Sequence, residues 1–97
     1  MGPVQQALSL DVLRALADPR RVAIIAQLAS EDAPQTVSAL TRCCGIDFSG
    51  VSRHLKILRD AGVVSVERDG REARYSLQAD DLADRLDAMA RAIRDCC

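Results

Sequence analysis

Asp47-Phe48-Ser49-Gly50-Val51-Ser52-Arg53-His54-Leu55-Lys56-Ile57-Leu58-Arg59-Asp60-Ala61-Gly62-Val63-Val64 is the stretch on which the reading of this chain turns. Asp47 is a natural N-cap, and Val51, Leu55 and Leu58 recur at helical spacing, so a helix with one apolar stripe is predicted to run to Ala61. Gly62 stops it, and an alternating apolar segment begins at Val63. Upstream, Thr36 caps a short helix through Cys44 that carries Val37, Leu40 and Cys44 inward, and Gly45 ends it in a left-handed conformation. Two helices are thus joined by a tight glycine turn. Downstream, Val63–Arg68 and Arg71–Leu77 flank Asp69-Gly70, a preferred type I′ hairpin turn. That turn pairs Val66 with Ala73 and Val64 with Tyr75, and sets Glu67 opposite Glu72 with Arg74 diagonal to it.

The flanks are helical. A first helix is predicted from about residue 4 to Ala17, with Val4, Leu8, Val12 and Leu16 at helical spacing. Asp18-Pro19 stops it and starts the next, Asp as N-cap and Pro at the first helical position. That second helix reaches about Ala29 with Val22, Ile25, Ala26 and Ala29 on one face, and Ser30 to Gln35 reads as a loop. A last helix from about Asp80 carries Leu82, Leu86, Met89, Ile93 and Cys97 in one stripe, with Asp80, Asp81 and Asp84 at its positive end. The predicted class is mainly α with a two-stranded β-hairpin, in the order α-α-α-α-β-β-α. A glycine-linked helix pair followed by a basic-tipped hairpin is a winged helix-turn-helix. One domain spans 1–97, with the helix-turn-helix at 36–61, the wing at 63–77, and dimerisation helices at 1–17 and 80–97.

Composition narrows the function classes. The 97 residues, 48% hydrophobic and 28% charged, suit one small globular domain, and so short a chain gains from a dimer that covers more apolar surface. One Phe, one Tyr and no Trp argue against a single-strand binder built on stacked aromatics. A lone His excludes sites needing two imidazoles from one chain. No apolar run approaches the roughly 18 residues of a membrane span. No signal peptide is legible at the start, so a cytoplasmic protein with no membrane partner is expected. No base–nucleophile pair or oxyanion site is legible, so an enzyme is not expected. Net charge is −1, but it is sorted by segment. Residues 42–77 carry seven basic side chains against five acidic, and residues 78–97 carry three against five. The middle can face a polyanion while the acidic end stays clear of it.

Here the sequence resembles a known family. Ala17-Asp18-Pro19-Arg20-Arg21 before an apolar helix, the stretch Val51 to Val64, and Arg68-Asp69-Gly70-Arg71 with Tyr75-Ser76-Leu77 are similar to the corresponding motifs of the ArsR/SmtB-type repressors. The resemblance covers residues 13–77 in detail and the flanking helices by pattern. It implies a small homodimer that binds double-stranded operator DNA and releases it when an inducer binds, with the first and last helices forming the dimer interface. On that reading Ser49, Ser52 and Arg53 face base edges near the start of the recognition helix, and His54 and Lys56 reach phosphates or bases. Arg53 is the candidate for bidentate guanine reading. Phe48 either touches a thymine methyl or staples the helix, and Gly50 permits a close backbone approach. Arg68, Arg71 and Arg74 suit a wing at the phosphates or minor groove, or serve solubility alone.

The cysteines form two adjacent pairs, Cys43-Cys44 and Cys96-Cys97. Zinc-ribbon spacing is absent, and adjacent cysteines bridge each other only under strain. Thiophilic ions favour two or three thiolates, which makes arsenite or antimonite the favoured inducers, with mercury, cadmium or lead as further candidates. The family's arsenic-sensing cysteines fall at positions held here by Thr36, Ser38 and Thr41, and its zinc-sensing histidines have no counterpart in the last helix. Other members place cysteines at the end of the last helix, sometimes joined by cysteines near the partner's DNA-binding unit, and Cys96 and Cys97 resemble that arrangement. Cys44 takes a core position before Gly45, whereas Cys43 is open between an inert residue and a ligand. The resulting expectation is a repressor released by a thiophilic ion on cysteine thiolates. The alternatives are a redox or persulfide sensor using the same cysteines, and a ligand-free protein-interaction module.

Overall fold

The computed structural model describes residues 9–31 and 33–95. Ser9 opens the first described helix, α1 (Leu10–Leu16): its backbone is extended and its hydroxyl accepts from the Val12 N–H at 3.4 Å. A helix running unbroken from residue 4 is therefore corrected, because a capping serine interrupts it. Val4 and Leu8 lie outside the described residues. Asp18 caps α2 (Pro19–Ser30) as expected, accepting from the Arg20 N–H at 2.8 Å with Pro19 beside it.

The buried face of α2 differs from the expected one. Ile24 and Leu28 are its buried residues, Ile25 is partly buried against them, and Val22, Ala26 and Ala29 are exposed. Residues 22–29 are apolar except Gln27, so periodicity alone does not single out a stripe. The two largest fitting side chains, with Arg21 one turn earlier, set the rotation.

Gln35–Thr36 forms a short strand, β1, where a loop was expected, and Thr36 then caps α3 (Val37–Cys44) by accepting from the Ala39 N–H at 3.2 Å. After Gly45 comes α4 (Phe48–Asp60), with Val51, Leu55 and Leu58 wholly buried as predicted. Its end is a Schellman motif: the Gly62 N–H donates to the Arg59 carbonyl and the Val63 N–H to the Leu58 carbonyl, both at 2.9 Å, with Gly62 at φ 77°. Two longer strands follow, β2 (Val64–Asp69) and β3 (Glu72–Leu77), and β1 pairs with β3, so the sheet order is β1-β3-β2. The two-stranded wing is thus extended by a third, very short strand.

The hairpin register is also corrected. Val64 pairs with Leu77, Val66 with Tyr75, Glu67 with Arg74 and Asp69 with Glu72. The loop is Gly70-Arg71, not Asp69-Gly70. Gly70 has φ 65° and Arg71 does not have positive φ, which suits a glycine-first turn rather than type I′, where both central residues need positive φ. A change of two in register keeps every side chain on its face, so Val64, Val66 and Tyr75 still share one, with Val64 in the core and Tyr75 packed against it. The predicted Glu67–Glu72 repulsion disappears, and Glu67 faces Arg74 instead.

The core joins Val12 and Ala15 of α1, Ile24 and Leu28 of α2, Leu40 of α3, the α4 stripe, and Val63 and Val64. The last helix, α5 (Ala79–Asp95), adds Leu82 and Met89. Along the predicted α5 stripe Leu86 and Ile93 stay 40% and 52% exposed, and Cys97 lies outside the described residues.

Candidate nucleic-acid interface and the cysteine pairs

The recognition helix is amphipathic in a way that separates packing from reading. Val51, Leu55 and Leu58 are buried, and Ser49, Ser52, Arg53 and Lys56 recur at i, i+3, i+4 and i+7 on the opposite side. Ser49, Arg53 and Lys56 are exposed and Ser52 is half-buried. The Ser49 hydroxyl donates to Asp47 Oδ2 at 2.7 Å, which holds that carboxyl below the usual carboxylate range. Lys56 pairs with Asp60 at 3.1 Å across one exposed turn.

Phe48 is 59% exposed at the first position of α4, while Ile46, at the position a hydrophobic staple uses, packs against the core with Val51. The staple reading of Phe48 is therefore transferred to Ile46. Gly50 is buried, and a Cβ there would lie 2.6 Å from Asp47 Oδ1 and 2.9 Å from Ile46 Cγ2. Its missing side chain makes room for Asp47 and Ile46, and Asp47 holds the expected N-cap position without a side-chain hydrogen bond to the helix backbone, accepting from the Ser49 hydroxyl instead.

His54 leaves the reading face. It sits half-buried on the flank turned to α2, where Arg21 Nη1 lies 3.2 Å from its Nδ1. Arg21 also donates through Nε to the Ala15 carbonyl at 2.7 Å and through Nη2 to the Arg14 carbonyl at 3.0 Å. One guanidinium thus satisfies the open end of α1, stands 3.7 Å from Asp18, and reaches the recognition helix. Sequence reading did not single out Arg21, because an arginine in a charged pair beside a proline looks like surface.

The wing arginines divide. Arg71 forms the turn and Arg68 lies at the strand end beside it, both exposed. Arg74 stands on the outer face between acids and pairs with Glu72 at 3.1 Å. Between the wing and the helix pair runs a groove of about 430 Å3, lined among others by Ser38, Arg42, Phe48 and Arg71. Arg42 was legible only as part of the basic middle segment, and the fold puts it beside Phe48.

The two cysteine pairs are not brought together within the described residues, because Cys96 and Cys97 lie outside them. Cys43 is exposed and its Sγ contacts the Leu40 carbonyl at 3.2 Å. Cys44 packs against the core, as the inward pattern predicts, and burial, followed by the Cys43 thiol, pushes its own thiol up to about 12. Among the described residues no group of three or more His, Cys, Asp or Glu side chains is placed to hold a metal ion. The two sulfurs of this pair face different surroundings, Cys43 exposed and Cys44 against the core. Among the described residues no helix is long and apolar enough to cross a membrane.

A helix pair joined through Gly45 with one polar outer face, flanked by a hairpin with arginines at its tip, defines a winged helix-turn-helix module. Residues 9–67 match the family described as helix-turn-helix domain. The chain is 45% identical over 86 residues to the HTH-type transcriptional repressor SmtB of Mycobacterium tuberculosis, covering 88% of this chain and 62% of that one. It therefore spans less than two thirds of that relative's length. Among solved structures, the homodimeric winged helix-turn-helix DNA-binding domain of a possible ArsR-family regulator from Mycobacterium bovis is similar at TM-score 0.69 and 30% identity, covering 88% and 76% of the two chains. The cadmium metal-sensor CMTR of Mycobacterium tuberculosis is similar at TM-score 0.61 and 38% identity, covering 76% and 74%. The chain belongs to the ArsR/SmtB-type winged helix-turn-helix transcriptional regulators, a family of regulators and not of enzymes.

Proposed function

We propose that this chain acts as a homodimeric repressor that binds double-stranded operator DNA through α4 and the wing and releases it when a thiophilic ion is held by cysteine thiolates. The carrying observation is the outer face of α4, where Ser49, Ser52, Arg53 and Lys56 align opposite a fully buried stripe. Short hydroxyls and a guanidinium in the first turns are what base edges in a major groove require, and Arg53 is assigned to guanine. Arg68 and Arg71 take backbone phosphates or the minor groove, and Phe48 a thymine methyl. Arg74 acts from behind this surface, since it already pairs with Glu72, and His54, whose Nδ1 is engaged by Arg21, reaches a phosphate from the flank. A second copy covers the exposed apolar residues of α1 and α5, in line with the homodimeric M. bovis neighbour.

The inducer reading rests on thiol chemistry and on the likeness to a cadmium sensor. Cys96 and Cys97 are the proposed ligands, joined by Cys43, whose exposed thiol is accessible; Cys44 serves the core. Trivalent arsenic or antimony is the favoured ion class, ahead of mercury, cadmium and lead.

Operator titrations test both halves. Arg53→Ala is expected to weaken specific binding by roughly 1–3 kcal/mol, and Arg71→Ala to weaken all sequences alike with a flatter salt dependence. Unchanged specific and nonspecific affinities in Arg53→Ala would refute the reading face. Under reducing conditions, a panel of ions should release wild type but not the Cys96→Ser/Cys97→Ser double variant. Normal release by that variant removes the tail pair from the sensor. Release by oxidant alone, with no ion effective, transfers the cysteines to redox sensing.

A further inference from the structure

A second recess adjoins the surface described above. A cavity of about 230 Å3 opens between the start of α2, the turn after α3 and the start of α4, lined by Arg20, Gly45, Asp47, Gly50, Arg53 and His54 among others. Arg20 of α2 and Arg53 of α4 both line it, and neither has an ion pair within 4.0 Å among the described residues. Asp47 also lines the recess, and the Arg53 charge is among the influences that hold its carboxyl below the usual range, after the Ser49 hydroxyl. Asp47 accepts from the Ser49 hydroxyl and folds over Gly50, and Asp18 accepts from the Arg20 backbone N–H and faces Arg21.

The third polar group is preset by its neighbour. A guanidinium carries only donors, so the Arg21 contact requires His54 Nδ1 to accept, and the ring proton then sits on Nε2. The imidazole lining the cavity is thereby held as a donor. Two arginines outside any ion pair within 4.0 Å and a histidine line one polar recess, a set of donors that suits a tetrahedral oxyanion.

We propose that this cavity seats one phosphate group of the DNA backbone, clamped between Arg20 of α2 and Arg53 and His54 of α4, at the edge of the base-reading face. The clamp rests on the DNA-binding reading and extends it, for it makes α2 part of the interface. Arg20 is thus a positioning contact that carries no sequence information, while Arg53 stands where base edge and backbone meet.

Fluorescence anisotropy of the full chain on an operator duplex and on an unrelated duplex, across a salt series, tests the assignment. Arg20→Ala should lose affinity by the same several-fold factor on both duplexes, with a log–log salt slope shallower by about one, and Arg20→Lys should regain the slope. Arg53→Ala should lose more on the operator than on the unrelated duplex. Unchanged affinity and slope in Arg20→Ala, with wild type binding in a salt-dependent way, overturns the clamp and leaves the DNA reading standing. Failure of wild type to bind any duplex overturns the DNA reading itself, and the clamp with it. Inorganic phosphate at constant ionic strength distinguishes the other source. Movement of the Gly45 and Gly50 amide resonances in wild type but not in Arg20→Ala, with the DNA slope unaffected, reassigns the cavity to a free anion and overturns its role on DNA.

Discussion

Cys43 and Cys44 are adjacent and chemically identical, yet the helix turns them to different media. Cys43 is exposed, whereas Cys44 packs on the core with its thiol pushed up to about 12. Alkylation of the folded protein at pH 8 should modify Cys43 well ahead of Cys44, with both reacting once urea unfolds the chain. Equal labelling of the two in the folded state, read by peptide mass mapping, would contradict this packing. Burial favours the neutral thiol, so above the ordinary value of 9.0 the unfolded chain releases this proton while the folded chain keeps it. Stability should therefore fall between about pH 9 and about pH 12, and Cys44→Ala should flatten that limb of the urea-midpoint curve. Cys44 was legible in the sequence because it continues the Val37, Leu40 stripe. Arg21 and Arg20 were not, because what distinguishes them is what lies across space.

At the scale of elements, helix ends are where local chemistry and packing meet. Asp18, Thr36, Gly45 and the Gly62 motif each stop or start a helix through groups close in sequence, which is why these boundaries agree with expectation. The end of α1 is different, since its Arg14 and Ala15 carbonyls are satisfied by Arg21 of the next helix. Removing that side chain takes the Arg21 donor from the Ala15 carbonyl, leaves the Arg14 carbonyl with the Ala17 N–H alone, and takes away the partner of His54. Arg21→Ala should cost about 1–3 kcal/mol in urea unfolding. Arg21→Lys should recover little of it, because one ammonium does not reproduce a planar fork aimed at α1 and α4 together. A fully stable lysine variant would show that charge alone, and not geometry, matters here. The hairpin teaches the same lesson. Its strands were legible from alternation, but Asp69-Gly70-Arg71 offers two adjacent loops, and the register was settled by cross-strand partners, with Arg74 opposite Glu67 rather than Glu72 opposite it.

At the scale of the whole molecule, the described chain is elongated, with extents of 48 × 22 × 21 Å. The last helix contributes only Leu82 and Met89 to the buried core, and Arg85 ties it to the end of α4 by donating to the Ala61 carbonyl at 3.2 Å. Leu10, Leu13 and Leu86 stay exposed on the outer helices. Because Leu86 is 40% exposed within the protomer, Leu86→Glu should leave the monomer fold intact and disrupt a dimer, where a desolvated charge costs several kcal/mol. Light scattering with circular dichroism checks this: a folded monomer is expected, and a folded dimer would place the interface elsewhere.

What the sequence determined by itself is whatever depends on near neighbours: four helix boundaries with their caps and stops, the inward stripes of α3 and α4, the alternation of the hairpin strands, and the polar face at i, i+3, i+4 and i+7. These follow from periodicity and from hydrogen bonds spanning a few residues. What only the tertiary structure decided depends on contacts between segments distant in the chain. The rotation of α2 is one, because nearly every side chain from 22 to 29 is apolar and only the shape of the core selects Ile24 and Leu28. The strand formed by Gln35 and Thr36 is another, since two residues carry no strand signal until β3 lies alongside. The last is the packing of α2 against α4, two helices far apart in sequence, which brings Arg21 to His54 Nδ1 and sets Arg20 and Arg53 on one recess.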